Sequence, residues 1–504
     1  MIGLKHILGI VLFGGALLSF GQADSLAVRY ANTITQDELR EHLTLLAGDA
    51  YQGRDTGKEG QKMAAAYLKE QFTKDGIPPI PAPHAVAITE GYFQSFGLLE
   101  EQSGAIRIVV GERVLEYKRE LLYFNEVLKA DVPIAEVVYL GDGEQLPQAG
   151  ITGRVVLLNG TLLGQGASML GPLRERVEKL RAAGASLVLV GVPSLVALME
   201  GIHLGGSRMR LEDTGAKAEP MKSGAQMILV DEAAMDQLLR STTMARLAHK
   251  HRPKTIRVAC QVMVSPLARH FTGENVLAYI RGADKADEVV VITAHYDHIG
   301  VENGVVYNGA DDDGSGTVAL LEIAEAFAKA KAEGHGPRRS VLVMPVSGEE
   351  KGLLGSQYYS EHPVFPLENT VADLNIDMIG RVDSAHASSP PYVYVIGSDR
   401  LSSALHTVNE QANTMYAHLL LDYTFNAESD PNRFYYRSDH YNFARKGVPS
   451  VFFFSGVHED YHQPGDDVDK IRFDLLQQRA LLVFHTAWIL ANREERIVVD
   501  KPVK

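Results

Sequence analysis

Apolar and polar positions change period along this chain, and each change marks an element. Thr35 stands three residues ahead of Glu38, the spacing of a capping box, and Leu39, Leu43 and Leu46 then share one helical face before Gly48. Residues 60–72 repeat the helical period, with Met63, Tyr67 and Phe72 as the apolar members, and Gly76 with Pro78-Pro79 ends it. From about residue 131 to residue 260, short apolar runs at 135–140, 154–158 and 186–190 alternate with a helical segment at 173–183 that closes on Gly184. From Glu274 onward, continuous apolar runs at 288–293, 340–346, 370–378, 392–396 and 448–454 alternate with helical patterns at 314–330 and near 473–491. Runs that are apolar on both faces belong to parallel strands covered by helices on each side. The expected fold is α/β, with a mainly parallel central sheet flanked by helices and a smaller α/β unit inserted into it. Pro345 interrupts one run and cannot donate to a ladder, which predicts a bulge or an irregular strand end there.

The chain's 504 residues, 45% apolar and 22% charged, are enough for two or three domains with a large core. Residues 1–23 carry one Lys and an apolar stretch over 7–20, then close on Gly21-Gln22-Ala23, the pattern of a removed signal peptide. That stretch is shorter than the roughly 20 residues of a spanning helix. The mature chain is therefore expected to be exported, periplasmic or extracellular, without a membrane span. The single cysteine, Cys260, lies in an alternating apolar segment and reads as core. A formal net charge of -14 without a basic block excludes a nucleic-acid partner. Oligomeric state has no signature in the sequence.

Candidate chemistry gathers just past the apolar runs, where α/β sheets build their sites. His295 and Asp297 follow one run; a ligating His usually has its second nitrogen held by a carboxylate, so His295 reads as a metal ligand and Asp297 as its support. Asp311-Asp312-Asp313-Gly314-Ser315-Gly316 with Glu322 nearly fits a calcium loop. The entering helix such a loop needs is absent, because residues 301–309 read as turns. Three crowded carboxylates repel one another without cations, so one of these aspartates is expected to bridge two metals. Glu349 and Glu350 are adjacent, and on an extended backbone they point apart unless the chain turns. One can bind metal while the other holds the attacking water as general base. Asp377 sits in an apolar run where an unpaired carboxylate is expensive, and His462 completes the set.

Taken in order, His295-x-Asp297, Gly309-Ala310-Asp311-Asp312-Asp313-x-Ser315-Gly316, Glu349-Glu350-x-Gly352-x-x-Gly355-Ser356, Asn375-x-Asp377-Met378-x-Gly380 and Tyr461-His462-x-Pro464 resemble the di-zinc aminopeptidase family, which also includes glutamate carboxypeptidase, glutaminyl cyclases and the transferrin receptor. The resemblance implies a zinc exopeptidase-like fold, peptide substrates and two zinc ions. It implies that His295 and Asp377 hold one zinc, Glu350 and His462 the other, and that Asp312 bridges them, often with a cis Asp312-Asp313 peptide. Glu349 becomes the base that activates the attacking water, Tyr461 a hydrogen-bond partner of the oxyanion, Asp313 a support, and Ser438-Asp439-His440 structural. Since every ligand position is kept, an active hydrolase is expected, an aminopeptidase first. A carboxypeptidase or dipeptidase is the alternative, with Arg433 and Arg437 able to grip a carboxylate; a non-catalytic binding protein comes third. The inserted segment resembles a protease-associated domain, giving an expected division into 1–23 (signal peptide), 24–125 with 262–504 (peptidase) and 126–261 (insert).

Overall fold

The computed structural model describes residues 23–81, 88–89, 91–123, 130–145, 150–164, 166–199, 208–212, 226–249 and 253–503. The predicted signal peptide thus lies, but for Ala23, outside the described residues. Seven strands form one sheet: β1 (Ala278–Ile280), β2 (Lys285–His295), β3 (Arg339–Val346), β4 (Thr370–Ile376), β5 (Tyr392–Ile396), β6 (Leu420–Asp422) and β7 (Ser450–Phe454), in the order β1-β3-β2-β4-β7-β5-β6. The β3-β2-β4-β7 run is parallel, as is β5-β6, while β1 meets β3 and β5 meets β7 antiparallel.

Side-chain alternation explains why these strands read as unbroken apolar runs. Val290, Ile292 and Ala294 of β2 join one core cluster with helices α1 (Gln36–Leu46), α2 (Glu59–Lys74), α3 (Gly316–Ala332) and α5 (Phe473–Asn492). Val289 and Val291 of the same strand face the opposite cluster, with Leu342, Met344 and Tyr359 of helix α4 (Leu354–Glu361). Both faces are dry, so both registers must be apolar. At the start of α1, Thr35 and Glu38 make the predicted capping box: the Glu38 N–H donates to Thr35 Oγ1 at 3.2 Å.

Pro345 corrects its expectation. The β2–β3 register runs without a shift from Val289↔Ser340 to His295↔Val346, so there is no bulge at the proline. The Tyr296 N–H donates to the Val346 carbonyl at 3.0 Å, which turns Val346 toward β2 and its neighbour Pro345 away. On that far side β1 has already ended at Ala278↔Val343, so the missing N–H breaks no ladder.

A second, ten-stranded sheet is built on a long antiparallel ribbon, Phe93–Val110 against Lys254–Val276, whose register runs from Val276↔Phe93 out to Gln261↔Val109. Beyond it, Val155–Asn159, Leu187–Val192 and Gln226–Asp231 pair in parallel and carry helix Leu170–Ala182 over a separate core. Cys260 is buried on the ribbon, and burial pushes its thiol up to about 11.

Candidate metal centre

Three loops at the carboxyl ends of β2, β3 and β4 meet two more segments. The chain leaves β2 at His295, and Nδ1 of its buried ring donates to the Asp297 backbone carbonyl at 3.0 Å. The support expected from Asp297 therefore comes from its main chain. Its carboxylate lies 3.9 Å from that nitrogen and is engaged elsewhere, accepting from Thr56 Oγ1 at 2.6 Å and from the Glu349 N–H at 3.2 Å. Asp297 thus ties the β2 loop to the β3 loop.

Past β3, Gly352 and Leu353 donate back to the Glu349 carbonyl at 2.8 and 2.9 Å, closing a turn that carries Glu349 and Glu350. The turn removes the extended geometry that would point the two side chains apart. Glu350 then faces the histidines, while Glu349 Oε2 stops 4.0 Å from His295 Nε2.

Asp312 sits in the turn Ala310–Ser315 ahead of α3, and the Asp312-Asp313 peptide is cis. Where a calcium loop needs an entering helix, a small hairpin, Gly300–Glu302 against Val305–Tyr307, leads in. Asp313 Oδ1 accepts from the Gly316 and Met378 N–H groups, both at 2.9 Å, pinning this turn to the end of β4. Asp377, just past β4, accepts from Ser438 Oγ at 2.6 Å, and Ser438 Oγ accepts from Asn375 Nδ2 at 2.8 Å. His462 arrives on the loop after β7 with φ 56, a left-handed value costly for histidine.

The side chains converge around Asp312, one oxygen to each side. His295 Nε2 lies 3.2 Å from Asp312 Oδ1 and 3.7 Å from Asp377 Oδ1. His462 Nε2 lies 3.1 Å from Asp312 Oδ2 and 3.2 Å from Glu350 Oε2. Burial alone would raise Asp312, but contacts with His295 and His462 hold it well below the usual carboxylate range. Burial and Asp312 also work against the charge on Glu350, yet His298 and His462 bring it down to about 2. Burial lifts Glu349 well above the usual range, Glu350 and Asp377 adding to the effect against His295. Against burial, the same carboxylates raise His295 well above its ordinary value and His462 to about 10.

A divalent cation fits this donor set. Ligand atoms of His295, Asp312 and Asp377 lie within 4.8 Å of one another, and on the other side of Asp312 both His298 and His462 bring a ring nitrogen to Glu350, at 2.9 and 3.2 Å. Asp312 Oδ2 is buried and, among the described residues, accepts no hydrogen bond of good geometry. Imidazole and carboxylate donors are the set that zinc takes.

Several residues that the sequence reading passed over build the site. Arg54, 1% exposed, donates to the backbone carbonyls of Leu46, Tyr296, Asn308 and Gly309 and staples the β2 loop to the aspartate turn. Asp466 accepts from the Asp311 and Asp312 N–H groups at 3.0 to 3.1 Å, locking that turn to the His462 loop. His298, fully buried, sets Nδ1 2.9 Å from Glu350 Oε1. Tyr461, which the sequence does single out, stacks on His462 with ring centroids 3.9 Å apart, and its hydroxyl accepts from Arg437 Nη2 at 3.4 Å. A small cavity beside the site is lined by Asp312, Glu349, Asp377, Arg437, Tyr461 and His462, and by an apolar wall that includes Phe434, Phe452 and Phe454.

Residues 275–487 match peptidase family M28. The matched segment carries His295, Asp312, Glu349, Glu350, Asp377 and His462. Aminopeptidase YwaD of Bacillus subtilis is 27% identical over 332 residues, 64% of this chain and 61% of that protein. A probable leucine aminopeptidase of Arthroderma otae is 32% identical over 216 residues, 41% of this chain and 55% of that protein. The chain spans about half the length of the first curated relatives it matches, 52% to 56%. In fold, the chain is similar to the solved aminopeptidase from Aneurinibacillus sp. strain AM-1, with a TM-score of 0.55 at 20% identity over 95% of this chain and 100% of that one.

Proposed function

We propose that this chain is an exported di-zinc aminopeptidase that removes N-terminal residues from peptides. One observation carries the reading: Asp312 sets one oxygen beside His295, which also neighbours Asp377, and the other beside His462, which also neighbours Glu350. In this reading His295, Asp377 and Asp312 hold one ion, and Glu350, His462 and Asp312 the other. Bound zinc supplies Lewis-acid polarisation of the scissile carbonyl and a water more easily deprotonated. Glu349 belongs to neither ligand group; it takes the proton of the attacking water and returns it to the leaving amine, a task suited to a carboxyl whose proton affinity burial has raised. Tyr461 stands over His462 at the cavity to donate to the developing oxyanion. The wall of Phe434, Phe452, Phe454 and Met378 suits an apolar terminal side chain.

The names of the relatives support the aminopeptidase direction, and the signal-like start supports export to the periplasm or beyond. Among the described residues no helix is long and apolar enough to cross a membrane. We read 126–261 as an inserted, protease-associated-like unit between 24–125 and 262–504. A carboxypeptidase or dipeptidase is the second reading, because Arg437 lines the same cavity and could hold a substrate carboxylate. Aminoacyl-anilides and N-blocked peptides separate the two: cleavage of blocked substrates alone sinks the aminopeptidase reading. Glu349→Gln is expected to keep its zinc and lose about 10³-fold in kcat. Glu350→Gln is expected to lose zinc as well, and normal turnover by the Glu349 variant would remove its role as base.

A further inference from the structure

His298 stands one position past Asp297, and neither the ligand set nor the base proposed above uses it. Its ring is fully buried, with Nδ1 2.9 Å from Glu350 Oε1 and 3.8 Å from Asp312 Oδ2. Glu350 is thus gripped from two sides, by His298 on Oε1 and by His462 on Oε2 at 3.2 Å. His298 Nε2 is buried and has no hydrogen-bond partner among the described residues. The tautomer that satisfies Glu350 therefore carries its proton on Nδ1.

The surroundings leave this ring one orientation. Its backbone N–H donates to the Arg54 carbonyl at 3.3 Å, and the Arg54 guanidinium holds the Tyr296 carbonyl on one side and the Gly309 carbonyl on the other. Gly309 has φ +55, and a Cβ built there would lie 2.5 Å from His298 Cγ and Cδ2, so the glycine makes the space the ring fills. The His462 ring meets it edge-on with centroids 5.9 Å apart. A side chain buried this completely, with one nitrogen bare and the other on a carboxylate, is built to hold that carboxylate.

We propose that His298 is a positioning residue: its Nδ1–H fixes Glu350 by Oε1 and thereby presents Oε2, beside His462 Nε2 and Asp312 Oδ2, to the second metal ion. The inference rests on the di-zinc reading and adds a residue outside its ligand set. Ligating carboxylates held by such outer partners lose about 10- to 100-fold in metal affinity when the partner goes.

The test is a zinc titration of the full chain against a competing chromophoric chelator, resolving stepwise affinities, for wild type, H298N, H298D and H298L. The Asn side chain can set an amide N–H near the position of Nδ1, Asp replaces that donor with an acceptor of the same shape, and Leu fills space without either. The expected result is two zinc ions bound by wild type and by H298N with affinities within about threefold of each other, and a second-ion affinity about 10- to 100-fold weaker in H298D and H298L, the first ion being retained. Unchanged second-ion binding in H298L or H298D overturns the proposal. So does a tighter second ion in H298D with a weak one in H298N, since that ranking marks residue 298 as a ligand. If H298L does not fold, the Asn–Asp pair decides alone. Wild type that binds no zinc overturns the di-zinc reading itself, which separates the two failures.

Discussion

Both sheets of this protein contain parallel strands that end in polar residues, and they treat those residues differently. In the second sheet, Asn159 and Asp231 close their strands and at once cap the turn or helix that follows: Asn159 Oδ1 accepts from the Thr161 N–H and Asp231 Oδ1 from the Ala233 N–H, both at 3.1 Å. In the first sheet, His295, Glu350 and Asp377 instead gather around Asp312, with His298 and His462 on Glu350. A polar residue at a strand end is therefore no mark of a site in itself. What marks one is a buried acceptor whose nearby backbone donors are left for others. Among the described residues, no His, Asp and Glu trio able to hold an ion lies in the second sheet.

Asp312 is the place to break this contrast with the largest effect. Asp312→Ala removes an oxygen from both ligand groups, and the expected outcome is loss of both zinc ions together with turnover, read by metal analysis and anilide hydrolysis. Retention of one ion at wild-type affinity would show that the carboxylate is not shared. Arg54→Met comes next. It leaves four backbone carbonyls without their donor and takes a fixed cation from beneath Asp466, Asp297 and Asp312, so we expect on the order of 4 kcal/mol of destabilisation in urea unfolding.

The strands of the first sheet were legible because burial on both faces forces continuous apolar runs, and the turn at Glu349-Glu350 because two adjacent carboxylates cannot both be spent on an extended chain. The choice of Asp312 among three aspartates was not legible from spacing, and the resemblance to a family supplied it. Other parts had no local signal at all. Arg54 is a lone arginine after Tyr51-Gln52-Gly53, and its work is to bond carbonyls as far away as Gly309. His298 had a weak one, a second histidine three positions after His295 at the same strand end. The sequence points to the Asp297 carboxylate as the support, but the partner of His295 is its main-chain oxygen, which no residue type encodes. Pro345 failed as a marker of irregularity because the end of β1 decides which side of β3 needs donors.

Acid provides the next test. His440 stacks on Phe452 with centroids 5.0 Å apart, His485 stacks on Tyr416 at 3.9 Å, and burial brings them down to about 3 and about 4. Each is neutral in the fold and takes up a proton near pH 6.5 once unfolded. Their contribution is fully present above pH 6.5 and is lost as pH falls toward 4, and toward 3 for His440. The slope is about 1.4 kcal/mol per pH unit for each histidine. Stability curves of wild type and a His440→Phe/His485→Phe variant should therefore converge as pH falls from 6.5 to 4.5, and parallel curves would show that neither histidine titrates as stated.

The smallest effect sharpens the comparison from the other side. Asp231→Ala removes a cap from the helix that begins at Glu232, and a lost cap costs about 1 kcal/mol. Because that carboxylate is spent locally, zinc content and kcat/KM should stay at wild-type values while the urea midpoint falls slightly. The same chemical change at Asp377, the residue just past a parallel strand, should empty a metal position. If Asp231→Ala lowered activity as well, the second sheet would be coupled to the metal centre through the ribbon Lys254–Val276, whose last residue meets Phe93 two positions before β1 begins. An unchanged kcat/KM assigns Asp231 to folding alone.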